Sequence, residues 1–368
     1  MTNDKVKIFV TYKDKHKIIK SDIITPIQTG RAIADEKFEG MIGDDTGDNI
    51  SKENPKYNEL SAQYWVWKHY EEIGNPEYVG FMHYRRHFLF DKNIDITDKT
   101  TWNANMPIFV FEKMDNNYLK NLSDTAILDN LKDSPDAIVF KSYDVNLFRN
   151  NDLYMREHYI STIPGAKRVN WDVFYDVVSE LYPQYKSELD DFTYGHFINP
   201  CNMFIMKKDL FFECSEMYFN ILKEVDRRID SSQYNSQEMR FCGYLGEYIL
   251  TLFVIILQRR NNLNIKMLNG VLIKNTDGFL GINFKSKFYK NYLQRIFSVK
   301  NDMDRKVITI FGIKIKFKGK IAPNKIYLKN QNNLLQQNSL IYRQMQILED
   351  KLSELQYELI LLKRGKNE

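Results

Sequence analysis

Apolar residues follow two rhythms along the chain, one of period two and one of period three to four. Residues 6–12, Val-Lys-Ile-Phe-Val-Thr-Tyr, are short and rich in β-branched side chains, which predicts a first strand ending in Thr11 and Tyr12. Residues 44–58 carry Asp, Gly, Asn, Ser and Pro, a loop composition. Over 58–73 the spacing of Leu60, Tyr64, Trp67 and Tyr70 predicts a helix, and a strand follows at 78–82. Further strands are expected at 136–140 and 202–206, the latter after an Asn199-Pro200 turn, with helices at 171–182, 209–229 and 244–258. This alternation predicts an α/β domain over residues 1–275.

The pattern then changes. In 306–318, Ile313, Ile315 and Phe317 alternate with Lys314, Lys316 and Lys318 around Gly312, which predicts a basic β-hairpin within 276–330. Over 331–368, Leu334, Ile341, Leu348, Leu355 and Leu362 lie seven apart. Met345, Leu352 and Leu359 fill the positions between them, and Asn338 takes the first. That heptad seam predicts a C-terminal coiled-coil helix and a homo-oligomer.

Composition narrows the class. Hydrophobic content of 43% with 27% charged residues fits a soluble globular protein. Cys201, Cys214 and Cys242 form no CxxC pair, which argues for a reducing compartment and against structural zinc. The opening MTNDKVKIFVTYKD has no apolar leader, and the apolar run 249–257 is far short of the ~20 residues that span a bilayer. Net charge is only +4, but 285–330 carries thirteen Lys or Arg against Asp302 and Asp304. Its Ile/Phe alternation suits an anionic lipid interface better than nucleic acid, for which no binding motif is present.

The most chemical stretch is His83-Tyr84-Arg85-Arg86, which follows an apolar strand. Ligands bind at the carboxyl ends of strands in open α/β sheets, and guanidinium forks suit a diphosphate. Continued strand alternation would put His83 and Arg85 on one face and Tyr84 and Arg86 on the other. Glu247, in Gly-Tyr-Leu-Gly-Glu before the apolar helix, is a candidate general base. It reads equally as a first-turn acid favoured by the helix dipole. Glu238 and Asp191 are weaker candidates for the base.

The order Asp48-Asn49-Ile50-Ser51, Tyr57-Asn58-Glu59-Leu60, Tyr64-Trp65-Val66-Trp67-Lys68 and Gly80-Phe81-Met82-His83-Tyr84-Arg85-Arg86 resembles the bacterial domain of unknown function 4422 family. Pro26-Ile27-Gln28, Cys201-Asn202-Met203-Phe204-Ile205 and Gly243-Tyr244-Leu245-Gly246-Glu247 extend the likeness over roughly 6–275. Members resemble GT-A glycosyltransferases of capsule and exopolysaccharide loci, several assigned as galactofuranosyltransferases. The resemblance implies a GT-A-like mixed sheet and transfer of galactofuranose or another hexose from a UDP-sugar to a lipid-linked glycan at the inner face of the cell membrane.

Thr11, Tyr12, Gln28, Asp48, Asn49, His83, Tyr84, Arg85 and Arg86 would then hold the donor, and Asn202, His158 and His196 the acceptor. The strand end that would carry Asp-x-Asp has no acid, so Arg replaces the cation and no metal is required. Mn or Mg on Asp44, Asp45 or Asp48 is the alternative, and Asp302-Met303-Asp304 lies in the basic tail, outside the expected site. A different class, a non-catalytic scaffold assembling a polysaccharide complex, would use the hairpin and coiled coil alone.

Overall fold

A computed structural model describes residues 5–96, 100–103, 106–146, 153–275, 297–302, 305–310 and 313–318. Three short parallel strands come first: β1 (Val6–Tyr12), β2 (Ile24–Gln28) and β3 (Ile42–Gly43). Helices α1 (Asn54–Tyr57) and α2 (Leu60–Lys68) lead to β4 (Tyr78–His83), which turns into β5 (Arg86–Phe88). Strands β6 (Thr100–Asn103) and β7 (Met106–Lys113) precede α3 (Asn116–Leu119) and α4 (Asp124–Asp129). Next come β8 (Ala137–Phe140) and β9 (Tyr143–Asp144), then α5 (Met155–Thr162), α6 (Arg168–Leu181) and α7 (Lys186–Thr193). The short β10 (Phe197–Ile198) and β11 (Phe204–Lys207) lead into α8 (Lys208–Arg228) and α9 (Phe241–Arg259), followed by β12 (Ile265–Leu268) and β13 (Gly270–Asn275).

One path across the sheet runs β3-β2-β1-β4-β11-β8-β12, in which β11 is antiparallel to its neighbours and the other pairs are parallel. From β4 the ladder continues through β5 to β13, β7 and β6. A sheet buried on both faces should send alternate side chains into two cores. Phe9, Val79, Phe81, Val139, Phe204 and Met206 enter one, packed on α2, α6, α8 and α9. Ile8, Val10, Met82, Ile138, Phe140 and Ile205 enter the other.

The apolar run of α9 belongs to the first core. Glu238–Arg259 is long and apolar enough to cross a membrane by composition, but most of it is buried inside the protein. All three cysteines are buried and free.

Met1–Phe279 form one compact unit and Leu280–Glu368 another. In the second, β14 (Phe297–Asp302), β15 (Arg305–Ile310) and β16 (Ile313–Lys318) make an antiparallel meander with Ile310 opposite Ile313. Met303, Asp304 and the heptad segment 331–368 lie outside the described residues.

Candidate functional site

After β1 the chain moves to β2 and β3 on one side, then crosses through α1 and α2 to β4 on the other. The carboxyl ends of β1 and β4 therefore flank the point where strand order reverses, the crevice where such sheets bind ligands. There the Thr11 hydroxyl lies 3.3 Å from both the Met82 carbonyl oxygen and His83 Nδ1.

The His-Tyr-Arg-Arg segment is not a continued strand. Tyr84 and Arg85 form a two-residue turn, and His83 pairs with Arg86 across it. The expected alternation is thereby corrected: reversal makes His83 and Arg86 cross-strand partners, with Tyr84 and Arg85 at the tip. Tyr84 stacks on His16, with ring centroids 4.0 Å apart and planes within 6°.

Facing this hairpin is a second turn. Cys201 and Asn202 both have positive φ, 74° and 47°. Successive left-handed residues mark a type I′ turn, a conformation costly for Cys. Such a turn persists only when its surroundings hold it. His83 Nε2–H donates to the Cys201 carbonyl oxygen at 2.5 Å. That bond places a His83 proton on Nε2, and burial lowers the ring's pKa. The Cys201 main-chain N–H also favours the ionised form of Glu247. The Asn202 side chain donates to Glu59 Oε1 at 2.8 Å and to the Gly243 carbonyl oxygen at 3.2 Å, and accepts from the Tyr218 hydroxyl at 3.3 Å.

Two carboxylates, Glu59 and Glu247, thus meet at one turn. Burial, and then the charge of Glu59, push the Glu247 carboxyl up to about 7, while the Cys201 N–H, Arg86 and Arg240 pull the other way. Burial disfavours the Arg86 charge, but Cys201, Glu247 and Glu59 outweigh it and the net direction is upward. Arg86 Nε is a buried donor with no hydrogen-bond partner among the described residues, a feature often found where a ligand completes a site. Burial shifts Arg85 the other way, downward, and Arg86 adds to it. A half-buried acid near neutrality beside a guanidinium can take a proton while the cation steadies developing negative charge.

Sequence reasoning missed Glu59 and Arg240. Glu59 stood in a family motif without a role, and Arg240 Nε reaches Asn58 Oδ1 at 3.1 Å from the turn before α9. Neither had a periodic or spacing signal, because their partners are more than 140 residues away.

The other expected contacts fall into three groups. Thr11, His83, Arg86, Asn202 and Glu247 come together, with Tyr84 and Arg85 at the hairpin tip. Tyr12, Gln28, Asp48 and Asn49 spend their polar atoms on local structure. The buried Tyr12 hydroxyl ties Lys17 and Ile19, and the Gln28 amide spans Glu36 and Phe38. Asp48 accepts from Tyr64, and Asn49 bridges Gly47 and Ser51. His158 is buried with Nδ1 2.8 Å from the Tyr248 hydroxyl, and His196 sits against Leu153 and Asn146. Glu238 pairs with Lys167, and Asp191 with Arg259.

Asp44 is fully buried and accepts from Gly30 N, Arg31 N and the Ser51 and Ser61 hydroxyls at 2.6–3.0 Å. Its oxygens are occupied as a loop clamp, and Asp45 pairs with Lys37. Among the described residues no three His, Cys, Asp or Glu side chains are grouped to hold a metal ion.

An α/β sheet with this cluster at its switch point resembles that of a solved glycosyltransferase. The fold of this chain is similar to that of WbbM, a bifunctional glycosyltransferase solved in apo form, at TM-score 0.67 and 31% identity. The match covers 77% of this chain and 48% of that one, so the chain spans about half the length of this relative. The chain belongs to the domain of unknown function 4422 family, whose profile matches residues 7–259. No curated protein sequence matches it.

Proposed function

We propose that the protein is a glycosyltransferase that moves a sugar from a nucleoside diphosphate sugar to a glycan acceptor, with Glu247 as proton acceptor. The observation that carries the reading is Glu247, raised to about 7, beside Arg86 at the switch point of a glycosyltransferase-like sheet. In an inverting step the acceptor hydroxyl oxygen bonds to the anomeric carbon as the bond to the diphosphate breaks. The hydroxyl proton passes to Glu247, and the electron pair leaves with the nucleoside diphosphate. Arg85 and Arg86 offset that charge, the task a divalent cation performs in Asp-x-Asp enzymes.

UDP as the nucleotide, a galactofuranose or other hexose, a lipid-linked acceptor and the inner membrane face complete the reading, and they rest on the family likeness and the basic 285–330 segment. Purified protein screened against a panel of nucleotide sugars with lipid-linked glycans tests it. Acceptor-dependent release of nucleoside diphosphate is expected, and its absence with every donor would favour the scaffold instead.

A further inference from the structure

The Cys201–Asn202 turn is held from two sides by two acids, and only one is needed to take a proton. We propose that Glu59 is a positioning residue that keeps Glu247 poised as proton acceptor, anchoring the turn and setting a second negative charge beside it. The proposal rests on the reading of Glu247 as the base.

Three observations carry it. First, Glu59 Oε1 binds the Asn202 amide at 2.8 Å, a charge-assisted bond that holds a residue at φ 47°. Second, the main chain of the next residue back, Cys201, favours the ionised form of Glu247, so both carboxylates act on one pair of residues. Third, Gly246 brings α9 against that pair, since a Cβ there would lie 3.0 Å from Asn202 Oδ1 and 2.7 Å from Leu60 Cδ1. Around Glu247 stand Glu59 from the start of α2, Arg86 from β5, Arg240 from the turn before α9, and Tyr218 and Tyr244 from α8 and α9. Two guanidiniums alone would favour the carboxylate and weaken it as a base. A second acid offsets them, because a like charge nearby disfavours ionisation.

Glu59→Gln separates charge from anchoring, because glutamine still offers an oxygen to Asn202. The full-length protein is titrated by infrared spectroscopy, with the Glu247 carboxyl band identified by its loss in Glu247→Gln. The wild-type midpoint is expected near 7. Glu59→Gln should lower it by about one unit, and the acid limb of kcat/KM should move with it. Glu59→Ser provides a second neutral side chain if glutamine impairs folding, and Glu59→Asp, which keeps the charge, should hold the midpoint up. An unmoved midpoint in the neutral variants, or no carboxyl titrating near neutrality, would overturn the proposal. Full activity in Glu247→Gln would instead sink the base assignment, while the infrared midpoint still judges Glu59.

Discussion

At the scale of single residues, Glu247 should show opposite effects on activity and stability. Glu247→Gln keeps the shape and removes proton affinity, so transfer should fall by roughly 100-fold or more while donor binding persists. Wild-type transfer should rise with pH through about 7, as the base loses its proton. The stability sign is the reverse. The folded carboxyl sits above its ordinary 4.5, so folding favours the protonated form. No penalty exists below 4.5; it grows as pH rises and is complete above about 7. At that pH Glu247→Gln should therefore be more stable by up to about 3 kcal/mol, read by thermal unfolding. Equal stability on both sides of neutrality would contradict the raised carboxyl. For the arginines, Arg85→Ala and Arg86→Ala are compared in a transfer assay. At least one should lose about 100-fold in rate with the fold intact. Near-normal turnover in both would remove the diphosphate assignment.

At the scale of elements, loops and turns decide what the strands present. The 28–61 region hangs on Asp44, which satisfies two main-chain N–H groups and two hydroxyls in the core. Asp44→Ala would take this partner from the Gly30 and Arg31 N–H groups and the Ser51 hydroxyl, while the Ser61 hydroxyl keeps the Asn58 carbonyl oxygen. A loss of about 3 kcal/mol or more is expected, seen as a lowered Tm. Transfer by the wild type should survive chelation by EDTA, since this carboxylate is committed to the clamp. Loss of activity restored by Mn or Mg would return the 44–48 acids to a ligand role. Strand and helix positions were legible because burial imposes their periods: β1, β4, α6, α8 and α9 fall within a few residues of their expected places. The sharp reversal at Tyr84-Arg85 was not, since neither residue is a customary hairpin-turn former. The turn expected at Asn199-Pro200 lies instead at Cys201–Asn202, with the strand starting at Phe204, because contacts from His83 and Glu59 hold it there.

At the scale of the whole molecule, the sequence beyond Leu280 carries the association and membrane expectations. Ending the chain after residue 330 removes the heptad seam from Leu334 to Leu362 and should abolish self-association in light scattering. An unchanged mass would exclude that segment as the assembly device. The basic 285–330 stretch should bring full-length protein down with anionic vesicles but not neutral ones. Each Lys or Arg near such a surface contributes about 1 kcal/mol, and salt should weaken binding. Replacing Lys314, Lys316, Lys318 and Lys320 by Gln should release the protein. Retention by those vesicles would point to apolar contact instead of charge.

The sequence alone determined the alternation of strands and helices and the core helix around 244–258, and it named the strand end at His83 and Glu247 as candidates. Those are local properties: a period, a composition, a residue type beside an apolar run. The tertiary structure decided which of them meet. It turned Tyr12, Gln28 and Asp44 into supports, sent His158 into the core, and paired His83 with Arg86. It also joined Glu59 to Asn202 across 143 residues of chain. No local pattern encodes that contact, because a charge answers to its neighbours in space, and packing of the sheet and α9 chooses them.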